Sequence, residues 1–199
     1  MPDLSLNSLP PKSLKELSVT KLSALSARAP QTRVLGITLA VGALAIASQF
    51  AFPIPGTPVP LTLQPFVVVL AGLLLGPIDA AAAMIVYLVA GAAGLPVFAP
   101  MGAPGLLRLL GPTGGYLLAY PVAAAVAGRF GAGKASFVTR ALAAEAGILV
   151  LYLGGLTQLA VLSGSLATAA LIGVVPFVAA DAVKALVAAG IAKGRRGRV

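Results

Sequence analysis

An all-α integral membrane protein with six transmembrane helices, both termini cytoplasmic and structured outer loops is the fold that this sequence predicts. Three observations lead there. Apolar residues make up 59% of the 199-residue chain and charged residues 10%, where soluble domains carry about 25% charged residues; the mean hydropathy is +1.02. The charges stand between apolar runs of the length that crosses a bilayer, about 20 residues at 1.5 Å rise. The bases also sort to one side once the runs are threaded through a membrane.

Residues 1–33 hold Lys12, Lys15, Lys21, Arg28 and Arg33 among serines and leucines. So long a charged portion is unlike the short head of a secretory leader, and further spans follow, so no cleavage is expected. It reads as a cytoplasmic tail able to carry a short amphipathic helix. Val34–Ala51 is uncharged and forms the first span. Within it Ala43, Ala47 and Ala51 recur every four residues, a stripe that lets another helix approach closely, from this bundle or from a partner subunit.

Pro53, Pro55, Pro58 and Pro60 follow at near-alternate positions. Each fixes φ and removes an amide donor, so the piece is extended or turned, with its bend at Gly56-Thr57. It is read as a lid or pocket wall on the outer face, with a rigid connector as the plainer reading. Leu61–Phe98 is interrupted only by Gly76-Pro77-Ile78-Asp79 and is long enough for two spans joined there.

Leu95–Thr113 is long and apolar for a membrane hairpin. Irregular backbone at membrane depth persists only where protein or a cavity covers it, so this loop is expected to line a cavity. It ends in Gly111-Pro112-Thr113-Gly114-Gly115-Tyr116, where Thr113 can cap the next helix and the glycines leave amides uncovered. A carboxylate could rest at such a helix start; otherwise the glycines serve close packing. Gly114–Gly128 is the fourth span and Ala141–Gly164 the fifth, with Glu145 near its inner end. Leu166–Ala192 holds the sixth, where Pro176 sets Leu166–Gly173 apart as a short helix and starts the span proper near Val174.

Threaded this way, the inside receives the five bases of the tail, then Arg129, Lys134 and Arg140, then Lys193, Arg195, Arg196 and Arg198; outside there is only Arg108. Basic residues in short loops set orientation, which places both termini in the cytoplasm. The domains expected are a tail over 1–33, a membrane domain over 34–192 and a basic tail over 193–199.

Asp181 and Lys184 stand three apart in Val174–Ile191, which holds no other charge. They share a helical face. A lone charge at that depth costs about 2.5 kcal/mol or more, so the pair marks a functional site. Lys184 can hold a ligand carboxylate, and Asp181 can orient Lys184 or accept ligand N–H groups; a structural ion pair is the alternative. Arg108 either snorkels to the interface or meets an anion at a pocket mouth. Gln64, Tyr87, Tyr116, Tyr120, Tyr152 and Gln158 are polar groups in apolar surroundings, each expected to pack and make one hydrogen bond.

There is no His and no Cys, which excludes disulfides, thiolate metal sites and an imidazole base. No cofactor or metal is expected. An intramembrane enzyme using Asp181 would lack a partner nucleophile, so no enzyme is expected either. The net charge of +9 is punctuation between apolar runs and not a basic face, so no nucleic acid is expected. No Gly-x-x-x-x-Gly-Lys-Ser/Thr loop occurs, so a partner must supply energy for uphill transport. Membrane lipid is the surrounding medium.

Five motifs in order resemble one family: Pro53–Gln64 ending Pro60-Leu61-Thr62-Leu63-Gln64; Leu70-Ala71-Gly72-Leu73-Leu74-Leu75-Gly76-Pro77; Gly94-Leu95-Pro96-Val97-Phe98; Leu110–Tyr116; and Pro176 with Asp181 and Lys184. They look like BioY, the biotin-specific substrate-binding subunit of energy-coupling factor transporters, over roughly residues 34–192. The resemblance implies capture of biotin from the outer face, and association with a transmembrane coupling subunit and two cytoplasmic ATPases. It also implies docking through the stripe of Ala43, Ala47 and Ala51. Substrate contacts carry over to Asp181, Lys184 and Arg108, and the expected site also takes in Thr113, Gly114, Tyr116 and Gln64. A subunit of the same architecture for another vitamin or small carboxylic acid is the alternative.

Overall fold

The computed structural model describes residues 30–194; residues 1–29 of the predicted tail over 1–33, and residues 195–199 of the predicted tail over 193–199, lie outside them. The chain divides into two units at Leu35. The described part of the first, residues 30–35, is helical and exposed. The second begins at Gly36.

Eight helices and two short strands occur among the described residues, in the order α1 (Pro30–Gln49), β1 (Ala51–Phe52), β2 (Leu61–Thr62), α2 (Gln64–Leu75), α3 (Pro77–Ala92), α4 (Leu107–Leu110), α5 (Gly114–Gly131), α6 (Phe137–Ser163), α7 (Leu166–Gly173) and α8 (Val178–Gly194). Local chemistry explains most boundaries. Gly76 sits at φ 86° between α2 and α3, a conformation that favours glycine, and Pro77 occupies the first turn of α3, where its missing N–H costs nothing. Ser136 caps α6 by accepting from the Thr139 amide at 3.1 Å, and Ser165 caps α7 by accepting from Thr168 at 3.2 Å. Pro176 lies in the turn between α7 and α8, which meet at 55°. The last helix therefore opens at Val178, four residues beyond the expected start, because Val174–Phe177 is spent on that turn.

The proline-rich segment is an antiparallel hairpin. Ala51 pairs with Thr62 and Phe52 with Leu61, and Gly56 at φ 86° makes the bend predicted for it. Thr57 Oγ1 then donates to the carbonyl of Ile172 on α7 at 2.6 Å and accepts from the Val59 amide at 3.1 Å. Thr57→Val removes that tie. The expected loss is about 1 kcal/mol, read as a lower thermal midpoint together with faster protease cleavage between Pro53 and Pro60.

Small residues set the helix seams. A Cβ on Gly72 of α2 would strike the Ala124 carbonyl of α5, and Gly115 of α5 and Gly154 of α6 face each other so closely that a Cβ on either would strike the other's carbonyl. Backbones can meet this way only where neither carries a side chain. The core between them holds Leu44, Val68, Met84, Tyr87 and Ile148, all fully buried. Large apolar side chains also point outward, among them Leu39, Ile46, Ile85, Leu118, Leu149 and Leu153. A helix that is apolar all round belongs in lipid or in a large core.

Among the described residues two helices, Pro30–Gln49 and Phe137–Ser163, are long and apolar enough to cross a membrane, and α7 with α8 makes a third if the bent pair is one span. The run Leu61–Phe98 yields shorter helices than expected, of 12 and 16 residues. Its first three residues go to the hairpin and Ala93–Phe98 to the following loop.

The stripe on α1 is not one outward face. Ala43 is exposed, but Ala47 is buried within this chain, and Ala51 has left the helix for β1. The exposed face of α1 instead follows Leu39, Gly42, Ala43 and Ile46, and a Cβ added at Gly42 would meet none of the described residues within 4 Å.

Candidate functional site

A cavity of about 670 Å³, its open mouth included, lies between the proline hairpin, the loop before α4, and helices α2, α5, α6 and α8. Its walls are mostly apolar, with Val59, Phe98, Leu117, Leu151 and Phe177 among them. Such walls with a few convergent polar groups are the usual form of a small-molecule site.

The polar groups converge on Asp181. It stands in the first turn of α8, where the helix dipole favours a carboxylate, and is 3% exposed. Lys184 Nζ lies 2.6 Å from its Oδ1, and the Tyr152 hydroxyl of α6 donates to its Oδ2 at 2.8 Å. Each carboxylate oxygen thus has a donor. Lys184, with its side chain 11% exposed, has used one of its three N–H donors. A ligand therefore finds an ammonium held in place by a buried anion, with hydrogens still to give.

On the facing side, Gln64 donates to the Tyr87 hydroxyl at 2.8 Å, and Tyr87 in turn donates to the Val97 carbonyl at 2.8 Å. Tyr116 turns its hydroxyl to the Gly173 carbonyl at the end of α7, joining α5 to the bend. Arg108 does not snorkel. It is 6% exposed, its two terminal nitrogens donate to the carbonyls of Ala99 and Met101, and its Nε has no partner among the described residues. Burial lowers the Arg108 pKa from its ordinary value, with the Tyr87 hydroxyl opposing; a guanidinium keeps its charge regardless.

Six of the seven residues expected at a site line this cavity: Asp181, Lys184, Arg108, Thr113, Tyr116 and Gln64. Gly114 does not. A Cβ there would strike the Leu109 carbonyl, and Gln158 donates to the carbonyls of Leu109 at 3.0 Å and Gly111 at 2.6 Å, so protein covers the start of α5. Thr113 does not cap α5 either: it has helical dihedrals, φ −96° and ψ −5°, and its side chain makes no capping bond. An N-cap residue needs extended dihedrals to bring its oxygen over the amides. Reading the sequence alone missed Tyr152 as the second donor to Asp181, and Thr62, Phe98 and Phe177 as lining. Only a tyrosine in an apolar run pointed at the first of these.

The model of the BioY family matches residues 19–199. A probable biotin transporter BioY from Pyrococcus horikoshii is 42% identical over 161 residues, covering 81% of this chain and 94% of that protein. The biotin transporter BioY of Thermotoga maritima is 40% identical over 139 residues, 70% of this chain and 82% of its own. Among solved structures, the S-component for biotin from an ECF-type ABC transporter, a 2.1 Å crystal structure, matches with a TM-score of 0.75 at 24% identity, over 87% of this chain and 96% of that one. The fold is shared with it.

Proposed function

The chain belongs to the BioY family, and from that premise we infer that it is a multi-pass protein of the cell membrane that binds biotin and takes it up. It is a transport protein and not an enzyme. The observation that carries the binding reading is the buried Asp181–Lys184–Tyr152 group in an otherwise apolar cavity. It offers acceptor and donor side by side to one end of biotin, while the valeryl chain lies on Val59, Phe98, Leu117 and Leu151. Arg108, Thr113, Tyr116 and Gln64 complete the walls.

In this reading the membrane domain covers residues 34–192, with cytoplasmic tails over 1–33 and 193–199. Six spans are formed by α1, α2, α3, α5, α6 and the bent pair α7–α8. The distribution of bases supports the orientation, since Arg108 alone falls on the side where the hairpin and the loop before α4 cover the cavity. Biotin enters from there. Without a nucleotide loop of its own, the chain works with a transmembrane coupling subunit and ATPase subunits of an energy-coupling factor transporter, in a lipid surround. The exposed face of α1 around Gly42 and Ala43 is the docking face, a revision of the Ala43–Ala47–Ala51 stripe.

Lys184→Ala tests the site. It leaves Asp181 bonded to Tyr152 and should weaken binding of radiolabelled biotin in detergent by at least about tenfold, the effect of losing one charge-assisted hydrogen bond. The thermal midpoint without ligand is expected to fall as well, since the change strands the buried Asp181 carboxylate with Tyr152 as its remaining donor, so affinity is compared on the monodisperse, folded fraction. Affinity equal to that of the parent protein would discard Lys184 as a contact.

A further inference from the structure

The loop between α3 and α4 is held by its carbonyls. Val97 O accepts from Ser48 Oγ at 2.6 Å and from the Tyr87 hydroxyl at 2.8 Å. Phe98 O accepts from Gln49 Nε2 at 3.2 Å, and Gln49 also donates to Ser48 Oγ at 2.8 Å, so the two side chains at the end of α1 act together. Ala99 O and Met101 O accept from Arg108. These peptide units are trans, and a trans unit points its N–H opposite to its C=O.

Anchoring the Val97 and Phe98 carbonyls on α1 and α3 therefore turns the amides of Phe98 and Ala99 the other way. Among the described residues neither amide donates to any group. Pro100 has no amide to offer. Phe98 and Ala99 both line the cavity, as does Arg108, whose buried Nε is also without a partner among the described residues. Protein backbones rarely leave buried donors unanswered.

We propose that the Phe98 and Ala99 amides form a backbone donor site for an sp² oxygen of the ligand, and that Ser48 and Gln49, which touch no part of the cavity, are positioning residues that hold those amides outward. The oxygen is that of a carboxylate or of the ureido carbonyl, and belongs to the end of biotin that does not meet Asp181 and Lys184. This rests on the biotin-binding reading.

The test compares three ligands on the purified full-length protein in detergent: biotin, biotinol, which lacks the carboxylate, and 2-iminobiotin, where an imino group replaces the ureido oxygen. Ser48→Ala, Gln49→Ala and the double variant remove the ties to α1 in steps, freeing the Phe98 carbonyl and leaving the Val97 carbonyl on Tyr87 alone. The double variant is expected to lose about tenfold in affinity for biotin, the worth of a hydrogen bond to a charged or strongly polar oxygen. One preference should shrink by the same factor: biotin over biotinol if the oxygen is the carboxylate, biotin over 2-iminobiotin if it is the ureido carbonyl. The other preference stays. Tight biotin binding by the double variant, or weaker binding with both preferences intact, overturns the donor site alone. A parent protein that ignores biotin overturns the functional reading and this site with it.

Discussion

Asp181→Ala is expected to remove measurable biotin binding and to destabilise the chain as well. The carboxylate is 3% exposed and answers both Lys184 and the Tyr152 hydroxyl. Taking it away leaves an ammonium with little access to water and a phenol without its acceptor. Breaking a buried pair from one side costs about 3–5 kcal/mol, more than such a pair contributes when intact, because the stranded charge must be desolvated alone. Asp181→Asn separates the two effects. It can still accept from Tyr152 or Lys184 but carries no charge, so it should recover part of the thermal midpoint while biotin binding stays weak. Thermal unfolding in detergent beside radiolabelled binding reads both, and full affinity in Asp181→Ala would remove this residue from the site.

Gly154→Val should be strongly damaging although it lies away from the cavity. The new Cβ would strike the Gly115 carbonyl and come within 2.7 Å of the Ala119 side chain. Neither obstacle is the mobile end of a long side chain; one is helix backbone. Overpacking commonly costs about 1–3 kcal/mol, and a backbone that cannot yield puts this site at or beyond the upper end. The expected readout is loss of the monodisperse peak on size exclusion and a fall of the thermal midpoint. Gly42→Val is the matched control, since a Cβ at Gly42 meets none of the described residues within 4 Å. It should leave stability nearly unchanged, and a variant with intact biotin binding but impaired uptake would mark that face as the docking surface.

Proline, glycine and isolated charge act locally, which is why part of this architecture is legible in the sequence alone. The break at Gly76-Pro77, the bend at Gly56-Thr57 and the separation of α7 from α8 near Pro176 each follow from dihedral restrictions on the residue itself. Asp181 and Lys184 stood out because nothing else in their run is charged. What escaped depends on partners remote in sequence. Tyr152 lies 29 positions from Asp181, and Ser48 lies 49 from Val97, distances over which no periodicity carries information. Thr113 has the composition of a cap but not the dihedrals, which the preceding turn imposes. Ala47 looked like a neighbour of Ala43 on a docking stripe, yet the helix presents it to the core, and spacing in one helix cannot say which side its own bundle will claim.

The bond from Thr57 to the Ile172 carbonyl fastens the tip of the proline hairpin to the helix just ahead of the bend from which Asp181 and Lys184 hang. One side-chain hydrogen bond thus joins the wall of the mouth to the segment that leads into the charge pair, so the hairpin and the start of the last helix are braced against each other across 115 residues of chain.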